Sequence, residues 1–178
     1  MVKSEIPIIL RTFKRKESFY TSVIGFRLLH LALYPFYKNK RIWMFMDRRE
    51  NADDNAEHLY KYAITQNDSI DKYFTVNEDS DDFKRLQNLK NVIPFYSFKQ
   101  RILYLFAEKI ISSHPDENIL NPFFNKNETS YAGLINLDKI FLQHGVTKDN
   151  VSSWLHKYDK NVSLITTVSD AEKLSFLD

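Results

Sequence analysis

Residues 41–66, RIWMFMDRRENADDNAEHLYKYAITQ, contain the pattern from which the fold class is predicted. Large apolar side chains dominate Arg41–Met46, which predicts a buried strand that ends at Asp47. A polar loop follows, and apolar residues then recur at steps of three and four. This spacing predicts a helix over residues 55–66, with Asp53 or Asp54 as its N-cap. A strand followed directly by a helix is the unit from which parallel sheets are built.

The same alternation continues to the end of the chain. Further strands are predicted at residues 72–76, 91–95, 109–112, 139–142 and 162–168. Further helices are predicted at residues 81–89, 97–108 and 147–158, and one more begins at Asp170. Residues 118–136 are less regular and predict a loop with a short helix near Thr129. The pattern predicts an α/β domain, a Rossmann-like parallel sheet flanked by helices.

Composition excludes several classes of protein and of site. The chain has 178 residues, of which 43% are hydrophobic and 15% aromatic, so it is long and apolar enough to bury a core. It has no cysteine, which excludes disulfides, a thiol nucleophile and a cysteine zinc site. Three glycines are too few for a Gly-rich nucleotide loop. No His, Asp and Glu residues have metal-ligand spacing, and we predict neither a metal nor a cofactor.

Charge is distributed unevenly along the chain. The first 49 residues hold eleven Lys and Arg against three Asp and Glu, a net charge of +8, whereas the remainder has a net charge of −6. Helical spacing over residues 16–37 predicts a basic amphipathic region, residues 1–38, ahead of a Rossmann-like domain, residues 39–178. This helix either contacts an anionic membrane surface or packs on the domain. The acidic remainder argues against nucleic acid as a partner.

Three loops leave strand ends where an open parallel sheet binds ligands. They follow the predicted strands at residues 41–46, 109–112 and 139–142. The third loop carries the most specific pattern, because a strand leads into His144, Gly145 permits a tight turn and Thr147 begins a helix. The N–H groups at that helix start, with Lys148 beside them, can receive a phosphate. His144 is either a general base or a turn residue that only forms hydrogen bonds.

Residues 141–149, FLQHGVTKD, with Trp154 and Leu155 after them, resemble the CDP-glycerol glycerophosphotransferases. This family contains teichoic acid primases and polymerases and their capsular polysaccharide relatives. The pair Asp54-Asn55, which begins the first long helix, and the strand ending in Thr-Val-Ser before residue 170 are similar to the family as well. The resemblance covers residues 41–178.

The resemblance implies a GT-B fold of two Rossmann-like domains, of which this chain would form the N-terminal, acceptor-side half. It implies that His144 is the general base and that Asp54, Asn55, Ser130 and Tyr131 contact the acceptor. The acceptor would be a lipid-linked glycerol phosphate or glycan. The donor, CDP-glycerol, would be held mainly by a second domain whose motifs have no match here, so we expect this chain to be a fragment with little activity of its own.

The same observations predict where the protein is located in the cell, and they leave two alternative functions open. No apolar stretch is long enough to span a bilayer and no signal-peptide pattern begins the chain, so we expect a cytoplasmic protein, peripheral at the inner face of the membrane. One alternative is a non-catalytic binding module at a membrane surface. The other is half of a different GT-B glycosyltransferase.

Overall fold

The structure, a computed structural model, describes residues 19–124, 128–131, 133–143 and 160–175. Its centre is a six-stranded sheet in the order β3-β2-β1-β4-β5-β6, in which every neighbouring pair is parallel. The strands are β1 (Arg41–Met46), β2 (Ile70–Val76), β3 (Val92–Pro94), β4 (Lys109–Ser112), β5 (Asp138–Leu142) and β6 (Leu164–Thr166). The chain reverses its direction of strand addition between β1 and β4, as in a doubly wound Rossmann-like sheet.

Helices connect the strands, and polar side chains fix where several of them begin. They are α1 (Phe19–Tyr37), α2 (Asn55–Ala63), α3 (Asp81–Leu86), α4 (Phe98–Phe106), α5 (Glu117–Leu120) and α6 (Asp170–Ser175), with a 3₁₀ turn at Glu128–Tyr131. Ser80 and Ser97 are the N-caps of α3 and α4, and each serine Oγ accepts a backbone N–H three residues ahead. The short 3₁₀ turn confirms the short helix predicted near Thr129.

Strand β1 divides the interior into two cores. Ile42, Met44 and Met46 point to one face of the sheet and pack with α1 and α4, whereas Phe45 points to the other face and packs with α2. Alternate side chains of a strand point to opposite faces, so a strand covered on both sides is apolar at nearly every position. This is why the run at Arg41–Met46 identified the central strand.

Helix α1 packs on the domain. Val23 and Phe26 belong to the same core as the sheet, and His30 stacks on Phe106 with 4.5 Å between ring centroids. Arg27 is fully buried and donates from Nε and Nη2 to the carbonyl oxygen of Ser130, at 3.0 and 2.7 Å. The packing interpretation is therefore correct for this face of the helix.

The opposite side of α1 carries exposed apolar residues. Phe36 is 72% exposed and Leu28 is 54% exposed. Among the described residues, no helix combines the length and apolarity that crossing a membrane requires. Contact of α1 with a membrane surface stays a prediction.

Candidate functional site at the carboxyl edge of the sheet

The ends of β1, β4 and β5 lie side by side. In the sheet register Met46 is opposite Ser112, and Ser112 is opposite Phe141, so the three strands end at one level. The first residues after these strands, Asp47, Ser113 and Gln143, therefore emerge together at the carboxyl edge. The crevice beside the reversal of strand order is where open α/β sheets bind ligands.

Asp47, the residue after β1, fixes the start of α2. Its carboxylate is buried and accepts hydrogen bonds from the backbone N–H groups of Asp54, Ala56 and Glu57, at 3.2, 2.9 and 3.1 Å. Ser113, the first residue after β4, donates its hydroxyl to Asp47 Oδ1 at 2.6 Å. Burial raises the pKa of Asp47, and these hydrogen bonds oppose the rise. One carboxylate thus joins the loops after β1 and β4 to the helix between them.

Asp54 and Asn55 lie at the N-terminus of α2, as predicted. Asp54 is the N-cap residue, and its Oδ1 accepts the N–H of Asn55 at 2.8 Å. Asn55 donates its side-chain amide to the carbonyl oxygen of Gln143 at 3.1 Å. Gln143 directly precedes His144, so the pair after β1 contacts the segment that leads out of β5.

A second carboxylate, that of Glu57 in the first turn of α2, holds the loop that follows β1. Glu57 has no exposed side-chain surface and accepts the N–H of Asp53 at 2.6 Å. Arg85 of α3 donates to both of its oxygens, at 2.6 and 2.7 Å, and Lys61 lies 2.5 Å from Oε1. Burial alone raises the pKa of Glu57, but these donors outweigh it and lower the pKa to about 2. The carboxylate is ionised throughout the neutral range.

A crevice opens between the loop after β1 and the segment after β4. It has a volume of about 320 Å³ and is lined by Arg48, Arg49, Glu50, Asn51, Asn118 and Ile119. Arg49 crosses it and donates to the carbonyl oxygens of Asn118 and, at 3.1 Å, of Ile119. The crevice lies at the reversal of strand order. Within the part of the chain that the structure describes, no three His, Asp or Glu side chains are grouped as metal ligands.

The amino-acid sequence was compared with those of known protein families. The model of the family CDP-Glycerol:Poly(glycerophosphate) glycerophosphotransferase matches residues 27–168, which include every strand of the sheet. The chain belongs to this family. The resemblance found at residues 141–149 is confirmed at the level of the family.

One curated relative is the Minor teichoic acid biosynthesis protein GgaB of Bacillus subtilis (strain 168). The chain is 42% identical to it over 164 residues, which are 92% of this chain and 18% of the relative. The chain therefore spans about a fifth of the length of this curated relative.

The predicted site residues other than Asp54 and Asn55 fall into two groups. His144, Gly145, Thr147 and Lys148 lie outside the described residues, and their predicted roles stay predictions. Ser130 and Tyr131 lie in the 3₁₀ turn, which contacts α1.

Ser130 and Tyr131 make contacts that hold the 3₁₀ turn against the rest of the domain. The Ser130 carbonyl accepts from Arg27. The Tyr131 side chain is buried, and its ring lies 4.2 Å from that of Phe123. An acceptor contact by Ser130 or Tyr131 is still a prediction.

Sequence reasoning missed the residues that organise this edge. Asp47 was identified only as the end of a strand, and Ser113 only as part of a loop. The signal that could have found them is their position, since each is polar and lies within two residues of the end of a buried strand. Side chains at that point face the N-terminus of the next helix. Arg48 and Arg49 carry the same signal.

His114, in the loop after β4, is held by its neighbours. Its backbone N–H donates to Ser112 Oγ at 2.9 Å, and its Nδ1 lies 3.3 Å from an oxygen of Asp116. Asp116 also pairs with Lys160. These contacts connect the loop after β4 to the residues before β6.

Proposed function

We propose that this chain forms the acceptor-side domain of a glycerophosphotransferase of teichoic acid or capsule synthesis. The observation that carries the proposal is the family match over residues 27–168, which covers the sheet and the His-Gly segment after β5. The similarity to a protein named for minor teichoic acid biosynthesis supports it further. The donor is CDP-glycerol, bound mainly by a second, donor-side domain of a GT-B enzyme.

In the proposed reaction, His144 is the general base. It accepts the proton of a terminal hydroxyl on the lipid-linked acceptor, and the hydroxyl oxygen attacks the β-phosphorus of CDP-glycerol. The bond between this phosphorus and the bridging oxygen breaks, CMP leaves with the electron pair, and glycerol phosphate becomes attached to the acceptor. Phosphoryl transfer depends chiefly on positioning and on stabilisation of charge.

The described residues support the positioning part of this mechanism. Asn55 holds the carbonyl group of Gln143, one residue before the proposed base, and Asp47 fixes the helix that carries Asn55. Gly145, Thr147 and Lys148 follow the base in sequence and provide the proposed contacts to a phosphate of the substrate. Asp54 and Asn55 are the proposed acceptor contacts on the neighbouring loop.

We further propose that the enzyme works at the cytoplasmic face of the cell membrane as a peripheral protein. The exposed Leu28 and Phe36 of α1, and the positive charge of the first 49 residues, support contact with anionic lipid. A lipid-linked acceptor would be presented at that surface. Sedimentation with vesicles of anionic lipid, but not of neutral lipid, is the expected behaviour.

The test of the transferase proposal uses a full-length relative. The segment of GgaB that aligns with this chain is replaced by the chain itself, and CMP release from CDP-glycerol is followed with a lipid-linked glycerol phosphate acceptor. His144→Ala should reduce the rate by about 10²–10⁴-fold, the usual contribution of a general base. His58→Ala, a substitution of an exposed histidine on α2, is the matched control and should leave the rate unchanged.

Each result has a definite meaning. Equal rates in wild type and His144→Ala, with unchanged circular dichroism, would remove the base role from His144. If the chimera is folded and binds vesicles but releases no CMP with CDP-glycerol, while unmodified GgaB does release it, the transferase proposal fails and the binding-module interpretation replaces it.

A further inference from the structure

The described residues that line the crevice between the loop after β1 and the segment after β4 carry a net positive charge. Neither Arg48 nor Arg49 has an ion pair within the described ranges. Among the described lining residues Glu50 is the acidic one, and its carboxylate accepts from the neutral side-chain amide of Asn77 at 2.8 Å, so it keeps its charge and the lining carries two positive charges against one negative charge. Within the described part of the chain, the Arg49 guanidinium donates to neutral carbonyl groups, so its charge persists in the crevice.

Arg49 is fixed, whereas Arg48 is available to a ligand. The guanidinium of Arg49 lies 5.1 Å from the ring centroids of both Phe95 and Tyr96, in addition to its hydrogen bonds. Arg48 is exposed, and its side chain forms no hydrogen bond or ion pair with any described residue. A held cation beside an accessible one is an arrangement suited to an anion.

The loop that carries both arginines is held in its conformation before any ligand arrives. The Arg48 N–H donates to the carbonyl of Asn51 at 3.1 Å, and the Arg49 carbonyl accepts the N–H of Asn77 at 2.7 Å. The Ala52 N–H donates to Asp82 at 2.7 Å. A loop ordered in advance loses little conformational entropy when it binds.

Backbone strain lies next to the same crevice. Tyr96 has a φ of +62°, which is unusual for a bulky residue, and Gln100 accepts its N–H at 2.7 Å. Arg49 packs on one side of this residue, and Arg101 lies 6.0 Å from its ring centroid. Strain of this kind is retained where surrounding contacts enforce it, which is frequent at binding sites.

We propose that this crevice binds a phosphate group of the acceptor, a phosphomonoester or phosphodiester, through Arg48, with Arg49 as a fixed neighbouring cation. The planar guanidinium matches two phosphate oxygens, and the amides of Asn51 and Asn118 supply further donors. The volume is at the small end of ligand pockets and fits a glycerol phosphate unit. Naming the acceptor as the source of the phosphate rests on the proposed function; the anion site does not.

The test is direct binding to the 178-residue chain at physiological salt, by titration calorimetry and by NMR of the arginine and asparagine side chains. The ligands are glycerol phosphate, inorganic phosphate, CMP and glycerol. We expect glycerol phosphate to bind more tightly than inorganic phosphate, and glycerol not to bind.

Two variants with the same change in charge make the test specific. Arg48→Gln should weaken binding of glycerol phosphate by about tenfold to a hundredfold, the loss expected for hydrogen bonds to a charged group. Arg41→Gln removes a half-exposed arginine at the opposite end of β1 and should leave binding unchanged. Because the exposed Arg48 side chain forms no hydrogen bond or ion pair with any described residue, the urea midpoint of unfolding of its variant should equal that of the wild type.

The outcomes separate this proposal from the transferase proposal. Equal weakening by both variants, or no binding of either phosphate, overturns the site. Binding of inorganic phosphate or CMP as tight as that of glycerol phosphate overturns the acceptor as its source. In the GgaB chimera, Arg48→Gln should raise the KM for the acceptor and leave kcat near wild type. Binding to the chain needs neither donor nor catalysis, so it can succeed even if no transfer occurs.

Discussion

Replacing Glu57 with glutamine should test whether the ion pairs of Glu57 with Arg85 and Lys61 hold the loop after β1 and stabilise the fold. The carboxylate is inaccessible to solvent and receives both donors of Arg85, the ammonium of Lys61 and the N–H of Asp53. Glutamine keeps the size of the side chain but removes its charge and one acceptor oxygen. The variant leaves Arg85 without its buried partner.

The expected loss of folding stability follows from the lowered pKa of Glu57. A fall from the ordinary 4.5 to about 2 corresponds to about 3 kcal/mol of stability at neutral pH. Breaking a buried ion pair costs about 3–5 kcal/mol, and we expect the low end because the side chains of Arg85 and Lys61 are 41% exposed and screened by water. The expected loss in Glu57→Gln is therefore about 3 kcal/mol.

The assay is urea unfolding, followed by circular dichroism, at pH 7 and at steps down to pH 3. The pKa of Glu57 is lowered in the folded protein, so its stabilising effect is complete above pH 4.5 and is lost as the pH falls toward 2. The difference between wild type and Glu57→Gln should therefore shrink below pH 4.5. Asp81→Asn, at a fully exposed carboxylate on α3, is the control and should leave the unfolding midpoint unchanged. A loss below about 1 kcal/mol at pH 7, or a difference that does not change with pH, would refute the reasoning.

Two further predictions concern the connections around the site. Ser113→Ala removes the hydroxyl that donates to Asp47 and should cost about 1.5–3 kcal/mol in urea unfolding; NMR titration should find the pKa of Asp47 raised further, and an unchanged pKa would contradict this contact. Arg27→Lys cannot reproduce both hydrogen bonds to the Ser130 carbonyl and should cost about 1–2 kcal/mol, whereas Arg41→Lys, at a surface ion pair, should cost less than about 0.5 kcal/mol. Equal losses of folding stability in the two lysine variants would show that the two hydrogen bonds of the buried Arg27 guanidinium add no stability beyond that of a surface arginine.

The local sequence pattern predicted strands and helix starts well where they depend on residues close together in the chain. The strands at Arg41–Met46 and Lys109–Ser112 have the predicted bounds. The strand predicted over residues 162–168 is shorter, Leu164–Thr166, because a strand at the sheet edge pairs on one side and ends where its partner β5 ends. Helix starts were found because N-cap side chains act within a few residues.

The site was predicted in part. The loops after β1, β4 and β5 were identified from strand ends, and the pair Asp54-Asn55 begins α2 as expected. Arg27 lies in the helix that was predicted as basic and amphipathic, yet it is fully buried and donates to a carbonyl group 103 residues later in the chain. Periodicity carries no information about a partner so distant in sequence.

The alternation of strands and helices and the resemblance to the glycerophosphotransferases could be recognised in the amino-acid sequence, because both depend on short contiguous patterns. The strand order, which brings the ends of β1, β4 and β5 to one level, became known from the folded structure alone. The tertiary structure also joined Asp47 to Ser113 and Asn55 to Gln143, and it left Arg48 exposed beside a fixed Arg49. These contacts join segments that are distant in sequence, so they form only when the sheet has brought those segments together and buried them.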